Sequence, residues 1–236
     1  MFVGHYGVSF AAKPAHKPLP LWLLFIAVQW LDICWSVLVM LGIEKLHVVK
    51  GFTQGSDLDL YYMPYTHGLI GALGLSAMLG GVSAQFFKKR RMRVFWIVAA
   101  CVFSHWLLDL VVHVPDLPLI GDSDKVGFGL WRNVAISFPL EMLVLWAGAF
   151  VYARSLPSTR SGDFWLWTFV TALSALQVYG TFGPAPTDPI AEAHLALIAY
   201  VILALLAGLV GWQRTATATS RPALTPFNRR NGGKPF

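Results

Sequence analysis

Charge is scarce in this chain. Only 13% of its 236 residues are Asp, Glu, Lys or Arg while 56% are hydrophobic, and the mean hydropathy is +0.58. An ordinary soluble domain carries about 25% charged residues, so that class is excluded and the chain reads as an integral membrane protein. Cysteine is scarcer still: Cys34 and Cys101 lie in apolar stretches far apart. They exclude a disulfide framework and a zinc knuckle, and both read as small packing residues. No cleavable leader is expected either. Lys13 and Lys17 precede an apolar run that continues past Asp32 with no small-residue cleavage site, which predicts an uncleaved anchor. The formal charge of +6 does not indicate nucleic acid, because the basic residues cluster at the ends of hydrophobic runs, where membrane topology accounts for them.

What is abundant is hydrocarbon in lengths that match a bilayer. Crossing its core takes about 20 apolar residues, and six stretches qualify: roughly 19–42, 65–87, 94–114, 133–153, 164–182 and 193–212. The expected fold is an all-α, polytopic membrane bundle of about six transmembrane helices over 1–212. Residues 2–12 are apolar but too short to span, and they predict an interfacial or re-entrant helix. Residues 213–236, rich in Thr, Pro, Gly and Arg, read as a basic disordered cytoplasmic tail attracted to anionic membrane lipid.

Six spans divide the loops between two sides, and the basic residues divide with them. One side collects Lys13, Lys17, the 88–93 run, Arg154, Arg160 and the tail, 14 of the 18 in all. The other holds Lys45, Lys50, Lys125 and Arg132, together with eight of the twelve acids. Cytoplasmic loops are enriched in Lys and Arg, so both termini are expected in the cytoplasm. Trp22, Trp131, Trp165, Trp167 and Trp212 flank spans and read as an interfacial belt. The second span repeats small residues every fourth position, at Gly68, Ala72, Ser76, Gly80 and Ala84, a face suited to a packing helix or to a second copy of the chain.

Against this background a few ionisable residues stand out. His105, Asp109 and His113 are spaced four apart inside the third span, so on a helix they share one face. Asp32 lies within the first span and His67 opens the second. At 1.5 Å of rise per residue, Asp32 and His105 sit about 20 and 18 Å from the basic surface, and Asp109 about 24 Å. Intramembrane ionisable groups face the bundle interior and mark ion, proton or substrate sites. Imidazole and carboxylate together suit a divalent metal ion such as zinc, whose open position would hold a water of lowered pKa. Other accounts stand beside this one. Asp32 reads equally as an interhelical hydrogen-bond partner, and His105 with Asp109 as a local pair on one helix. His113, near a helix end, reads as snorkelling to the surface, and Glu141 as neutralising Arg132 or being protonated. His16, His47 and His194 fall in or beside loops and are assigned no role.

The order of these residues also carries a resemblance. Gly4-His5, Leu31-Asp32, Tyr65-Thr66-His67-Gly68 and Ser104-His105-Trp106-Leu107-Leu108-Asp109 resemble the pattern of the YdjM-like, DUF457-type inner-membrane proteins, which are described as metal-dependent hydrolases. The resemblance covers about the first 120 residues. Where the family has Pro-Asp-x-Asp, this chain has Trp30-Leu31-Asp32-Ile33-Cys34. It implies a metal site of His5, Asp32, His67, His105 and Asp109, with Asp32 and His105 as the catalytic pair, acting on a lipid or a periplasmic ester, phosphoester or amide. Two other classes fit the same residues: a proton- or cation-coupled transporter or channel, and a non-enzymatic assembly subunit. No repeat relates the two halves, which weighs against the transporter.

Overall fold

The structure is a computed structural model that describes residues 1–219, with side chains to residue 214. Eight α-helices carry the described chain: α1 (Gly4–Ala12), α2 (Leu21–Val28), α3 (Trp30–Met40), α4 (Leu69–Gln85), α5 (Arg91–Val112), α6 (Val134–Ser155), α7 (Arg160–Phe182) and α8 (Pro189–Thr219). Three of them, α5, α6 and α8, are long and apolar enough to cross a membrane. The expected first span is broken: α2 and α3 meet at 56°, a bent pair that adds a fourth crossing only if the two form one span. At 17 residues, α4 is apolar but short. α7 has the length, 23 residues, but Thr168, Thr171, Ser174, Gln177 and Thr181 dilute its apolar character.

The break between α2 and α3 has an identifiable cause. Gln29 leaves helical geometry at φ −104° and ψ 10°. The ladder resumes with Ile33 N–H donating to Gln29 O (2.9 Å), while Val28 O accepts instead from the ring of His105 (2.7 Å). A side chain inserted into the i→i−4 ladder is a standard source of a kink. Ser9 takes a second α2 carbonyl, donating to Leu24 O (2.9 Å).

α1 does not lie on a surface. Gly4, His5, Tyr6, Gly7, Ser9 and Phe10 are all buried. Tyr6 stacks on Phe25 of α2 at 4.4 Å, and Phe10 meets Phe25, Tyr152 of α6 and Phe169 of α7 at 5.2, 5.9 and 6.5 Å, an aromatic core through which α1 ties three helices together. The first backbone N–H groups of a helix lack intrahelical partners. Those near the start of α1 find side chains of other helices: Phe2 N–H donates to Glu141 Oε2 (2.9 Å) and Val3 N–H to Gln177 Oε1 (3.3 Å). Glu141 therefore serves as a distant cap. It makes no ion pair with Arg132 among the described residues, which removes the first of its two expected roles.

The small-residue stripe of α4 is buried within this chain. A β-carbon on Gly80 would sit 2.9 Å from Phe95 O and 3.1 Å from the Ala99 methyl, so α4 and α5 approach backbone to backbone. Between α3 and α4, a segment expected as loop forms an antiparallel hairpin of β1 (Lys45–Val48) and β2 (Leu58–Tyr62), with His47 opposite Asp59. It sits over a second core cluster that includes Trp35, Val39, Leu46, Leu60 and Met63. Helix α8 runs beyond 212, the expected start of the tail. Arg214, 1% exposed, donates to Asp163 Oδ1 (2.5 Å) at the start of α7 and lies over the Tyr152 ring. Residues 220–236 lie outside the described residues.

Candidate metal centre

Helical periodicity places His105 and Asp109 on one face of α5, and the fold brings the other expected residues to them. His105 Nε2 lies 3.0 Å from Asp109 Oδ2 and 3.4 Å from Asp32 Oδ1. His67 Nε2 lies 3.2 Å from Asp32 Oδ1 and 3.7 Å from Asp109 Oδ2. His5 Nε2 is 3.2 Å from the other oxygen of Asp109, Oδ1, and its ring stacks on that of His105 at 3.8 Å with only 6° between planes. The Met1 amino group also contacts Asp109 Oδ1. All five expected residues are thus in one constellation. Two triads, His5/His105/Asp109 and Asp32/His67/His105, each have ligand atoms within 4.8 Å of one another.

The far nitrogens of the rings decide what the near ones offer. A carbonyl can only accept, so the 2.7 Å contact of His105 Nδ1 with Val28 O fixes the proton on Nδ1. Neutral His105 then presents a lone pair at Nε2. His67 reaches the same state by a longer route. Glu44 Oε1 accepts from the backbone N–H groups of Tyr65 (2.9 Å) and Thr66 (3.0 Å), while Glu44 Oε2 accepts the Thr66 hydroxyl (2.6 Å). That hydroxyl has one proton and it goes to Glu44, so at 2.9 Å it accepts from His67 Nδ1–H. Trp106 Nε1–H holds the His67 carbonyl as well (2.9 Å).

His113 belongs to the same centre, which corrects its reading as a snorkelling residue. Only 2% exposed, it donates from Nδ1 to Asp116 Oδ1 (2.9 Å), leaves Nε2 3.6 Å from Asp109 Oδ2, and packs its ring on Trp131 at 4.2 Å. Trp131 thereby forms part of the wall of the centre. The later helices, which no motif implicated, contribute too: Tyr200 of α8 donates its hydroxyl to Asp32 Oδ2 (2.9 Å). Of these residues, His113 and Asp116 carried a usable signal, being i,i+4 and i,i+7 from Asp109 on one helix and its exit. Thr66 enters only as part of the Tyr65-Thr66-His67-Gly68 motif, with no role, and Glu44 and Tyr200 carried none. His16, His47 and His194 lie away from the centre, His47 and His194 exposed.

The donor set fits a divalent cation on a specific observation. His105 Nε2 is buried and faces two carboxylates, yet no hydrogen bond of acceptable geometry reaches it, and both ring nitrogens of His5 are in the same condition. With the Nδ1 protons committed elsewhere, imidazole lone pairs and carboxylate oxygens confront one another at 3.0–3.7 Å. For neutral imidazoles such an arrangement is repulsive, and a divalent cation among them, added to the Met1 ammonium at Asp109, would offset it. Metal-ligating histidines characteristically give their second N–H to a carbonyl or a carboxylate-linked group, as His67, His105 and His113 do here.

Comparison with protein-family models, with curated proteins and with solved structures finds no match for this chain. The chemistry of the centre therefore rests on its own geometry.

The Thr66 bridge offers a direct check. Thr66→Val keeps the side-chain shape but removes the hydroxyl between His67 and Glu44, so His67 is free to rotate or change tautomer. Metal affinity is expected to fall roughly 10- to 100-fold, the usual consequence of losing such a support. Competition against a chelator of known affinity measures this, and an unchanged affinity would show that the bridge does not orient His67.

Proposed function

We propose that this chain is a membrane-embedded, divalent-metal-dependent hydrolase of the YdjM-like kind. The observation that carries the reading is the convergence of the Nε2 atoms of His67 and His105 on Asp32 and Asp109, with each Nδ1–H held by a fixed acceptor. His67, His105, Asp109 and Asp32 would hold the ion, zinc being the best match to the donors, with His5 and His113 at its flanks. A divalent cation there would supply Lewis acidity and lower the pKa of a water toward 7.

The chain's own residues supply positioning and proton transfer. Asp32, with its side chain 15% exposed, is the most open member of the centre; His105 is fully buried and Asp109 nearly so. A reacting group therefore approaches at Asp32. Its Oδ2, which accepts the Tyr200 hydroxyl, is placed to receive a proton, and Tyr200 steadies the carboxylate while it does so. The stacked rings of His5 and His105 exclude water from the opposite side. A centre buried among apolar helices suits a lipid or a periplasmic ester, phosphoester or amide.

In the topology that accompanies this reading, the chain crosses a bacterial-type inner membrane six times, α1 enters the bundle from the cytoplasmic side with the Met1 amino group inside it at Asp109, and the C-terminus is cytoplasmic. The split of basic residues supports it. So does the grouping of ends: the 13–18 segment and the 86–93 turn line one cavity, and the ends of α7 and α8 pair through Asp163 and Arg214.

Elemental analysis of the purified chain tests the metal reading, with stoichiometric, tightly bound metal as the expected result; its absence would favour the proton-relay or assembly readings. Reporter fusions at residue 236 and within 114–130 test the topology and should report opposite sides. The same side for both would remove it.

A further inference from the structure

The basic end of the molecule holds a second site, remote in sequence from the metal ligands. The segment after α1 and the turn joining α4 to α5 flank an open cavity of about 590 Å³. His16, Lys17, Lys88, Lys89, Arg90 and Arg93 line it, and no Asp or Glu does. None of these lysines and arginines makes an ion pair with a described residue. Lys13 does not compete for a ligand, because its ammonium is buried and donates to Lys17 O (2.5 Å) and Leu19 O, which fixes the segment that presents His16.

Three features mark the cavity as built for an anion. First, Arg90 adopts the left-handed conformation (φ 58°, ψ 35°), uncommon for a side-chain-bearing residue outside Asn and Asp, so the backbone is bent there at some cost. Second, that bend opens the 22-residue helix α5 without any side-chain cap, leaving first-turn N–H groups and the positive end of the helix dipole beside the basic residues. Third, His16 is only 8% exposed and lines the cavity, and no described group hydrogen-bonds its ring. Burial, together with Arg93, Arg90 and Lys13, pushes its pKa down.

The apolar surroundings identify the source of the anion. Phe86, Met92 and Trp96 are 80%, 64% and 63% exposed. Met92 and Trp96 are i,i+4 neighbours on α5, so an apolar strip descends from the basic rim along the outside of the bundle. A ligand with a phosphate at the rim and hydrocarbon below it satisfies both parts. We propose that this cavity binds the phosphate of an anionic phospholipid, with the acyl chains lying against Phe86, Met92 and Trp96. Basic pockets at the ends of transmembrane helices recognise lipid headgroups by this combination.

The test uses the full chain in a neutral detergent, with native mass spectrometry reading the lipid retained from mixtures of phosphatidylglycerol and phosphatidylcholine. Preferential retention of the anionic lipid is expected. At about 1 kcal/mol per basic residue, the variant Arg90→Asn/Arg93→Gln should lose roughly 30-fold in affinity. Asn accepts the left-handed backbone, so the turn is spared, and Lys89→Gln, a change of an exposed side chain, gives an independent smaller loss if the double variant fails to fold. Arg229→Gln/Arg230→Gln in the tail should retain the lipid. Equal retention of phosphatidylcholine, or an equal loss in the tail variant, would overturn the site. Displacement of the lipid by millimolar inorganic phosphate would overturn the lipid as its source.

Discussion

Alanine at His105 or at Asp109 is expected to strip the protein of tightly bound metal, whereas His194→Ala should leave the content unchanged. His105 touches both carboxylates through Nε2 and belongs to both ligand triads, so its loss opens each of them. Asp109 is the hub, with His5 on one oxygen and His67, His105 and His113 around the other. His194 is exposed and spends its Nδ1–H on Ile190 O of its own helix (2.8 Å), which makes it a control for unspecific histidine binding. Removal of a zinc ligand leaves the coordination sphere incomplete and should lower affinity at least as much as the 10- to 100-fold typical of supporting residues. Asp32→Asn sharpens the reading. Asn keeps size and can still accept from Tyr200, but loses charge and basicity, so the fold should persist while metal content or activity falls. Elemental analysis paired with thermal unfolding in detergent makes the measurement. Full metal in His105→Ala/Asp109→Ala would return the centre to a network of imidazolium–carboxylate pairs, and normal metal and activity in Asp32→Asn would reduce that carboxylate to an interhelical tie.

The second large effect concerns backbone contact between α1 and α6. A β-carbon added at Gly7 would stand 2.1 Å from Val144 O, and one added at Gly148 would stand 1.9 Å from Gly7 O. Backbone atoms cannot rotate aside, so Gly7→Ala or Gly148→Ala must push α1 out of its slot. The cost is expected to reach about 3 kcal/mol, the upper part of the overpacking range. Because His5 lies one half-turn from Gly7 and stacks on His105, either substitution should also weaken metal binding while leaving every ligand on α5 unaltered. Gly74→Ala and Gly81→Ala are the comparison, since nothing lies within 4 Å of either added carbon. Both glycines lie inside α4, where alanine should stabilise by up to about 1 kcal/mol. Melting temperatures of the four variants decide the matter. If Gly7→Ala were as stable as Gly74→Ala, α1 would not be packed against α6 as described.

The residues of the centre show where sequence reasoning reaches and where it stops. The four-residue spacing of His105, Asp109 and His113 fixes a shared face, because helical periodicity is a local property. The cost of burying charge in hydrocarbon marks Asp32 and His67 as interior groups before any contact is known. The same local rules misjudged His113, whose nearness to a helix end suggested a path to the surface. The loop after α5 covers it instead, with Gly129 N–H donating to the His113 carbonyl (2.6 Å) and Trp131 packed on its ring.

The sequence by itself determined that the chain is helical and apolar enough for a membrane, that its basic residues gather at one set of span ends, and which imidazoles and carboxylates are costly enough to require a partner. Tertiary structure decided which atoms those partners are. Val28 O becomes the acceptor for His105 only because α2 packs against α5, and Glu44 reaches Thr66 only because a hairpin folds the chain back beneath it. Glu141 meets Phe2 across 139 residues and Tyr200 meets Asp32 across 168. Periodicity and burial cost act within a helix and can be read along it. Hydrogen-bond partners, tautomers and backbone approaches at glycine depend on which helices become neighbours, and that is set by packing of the whole bundle.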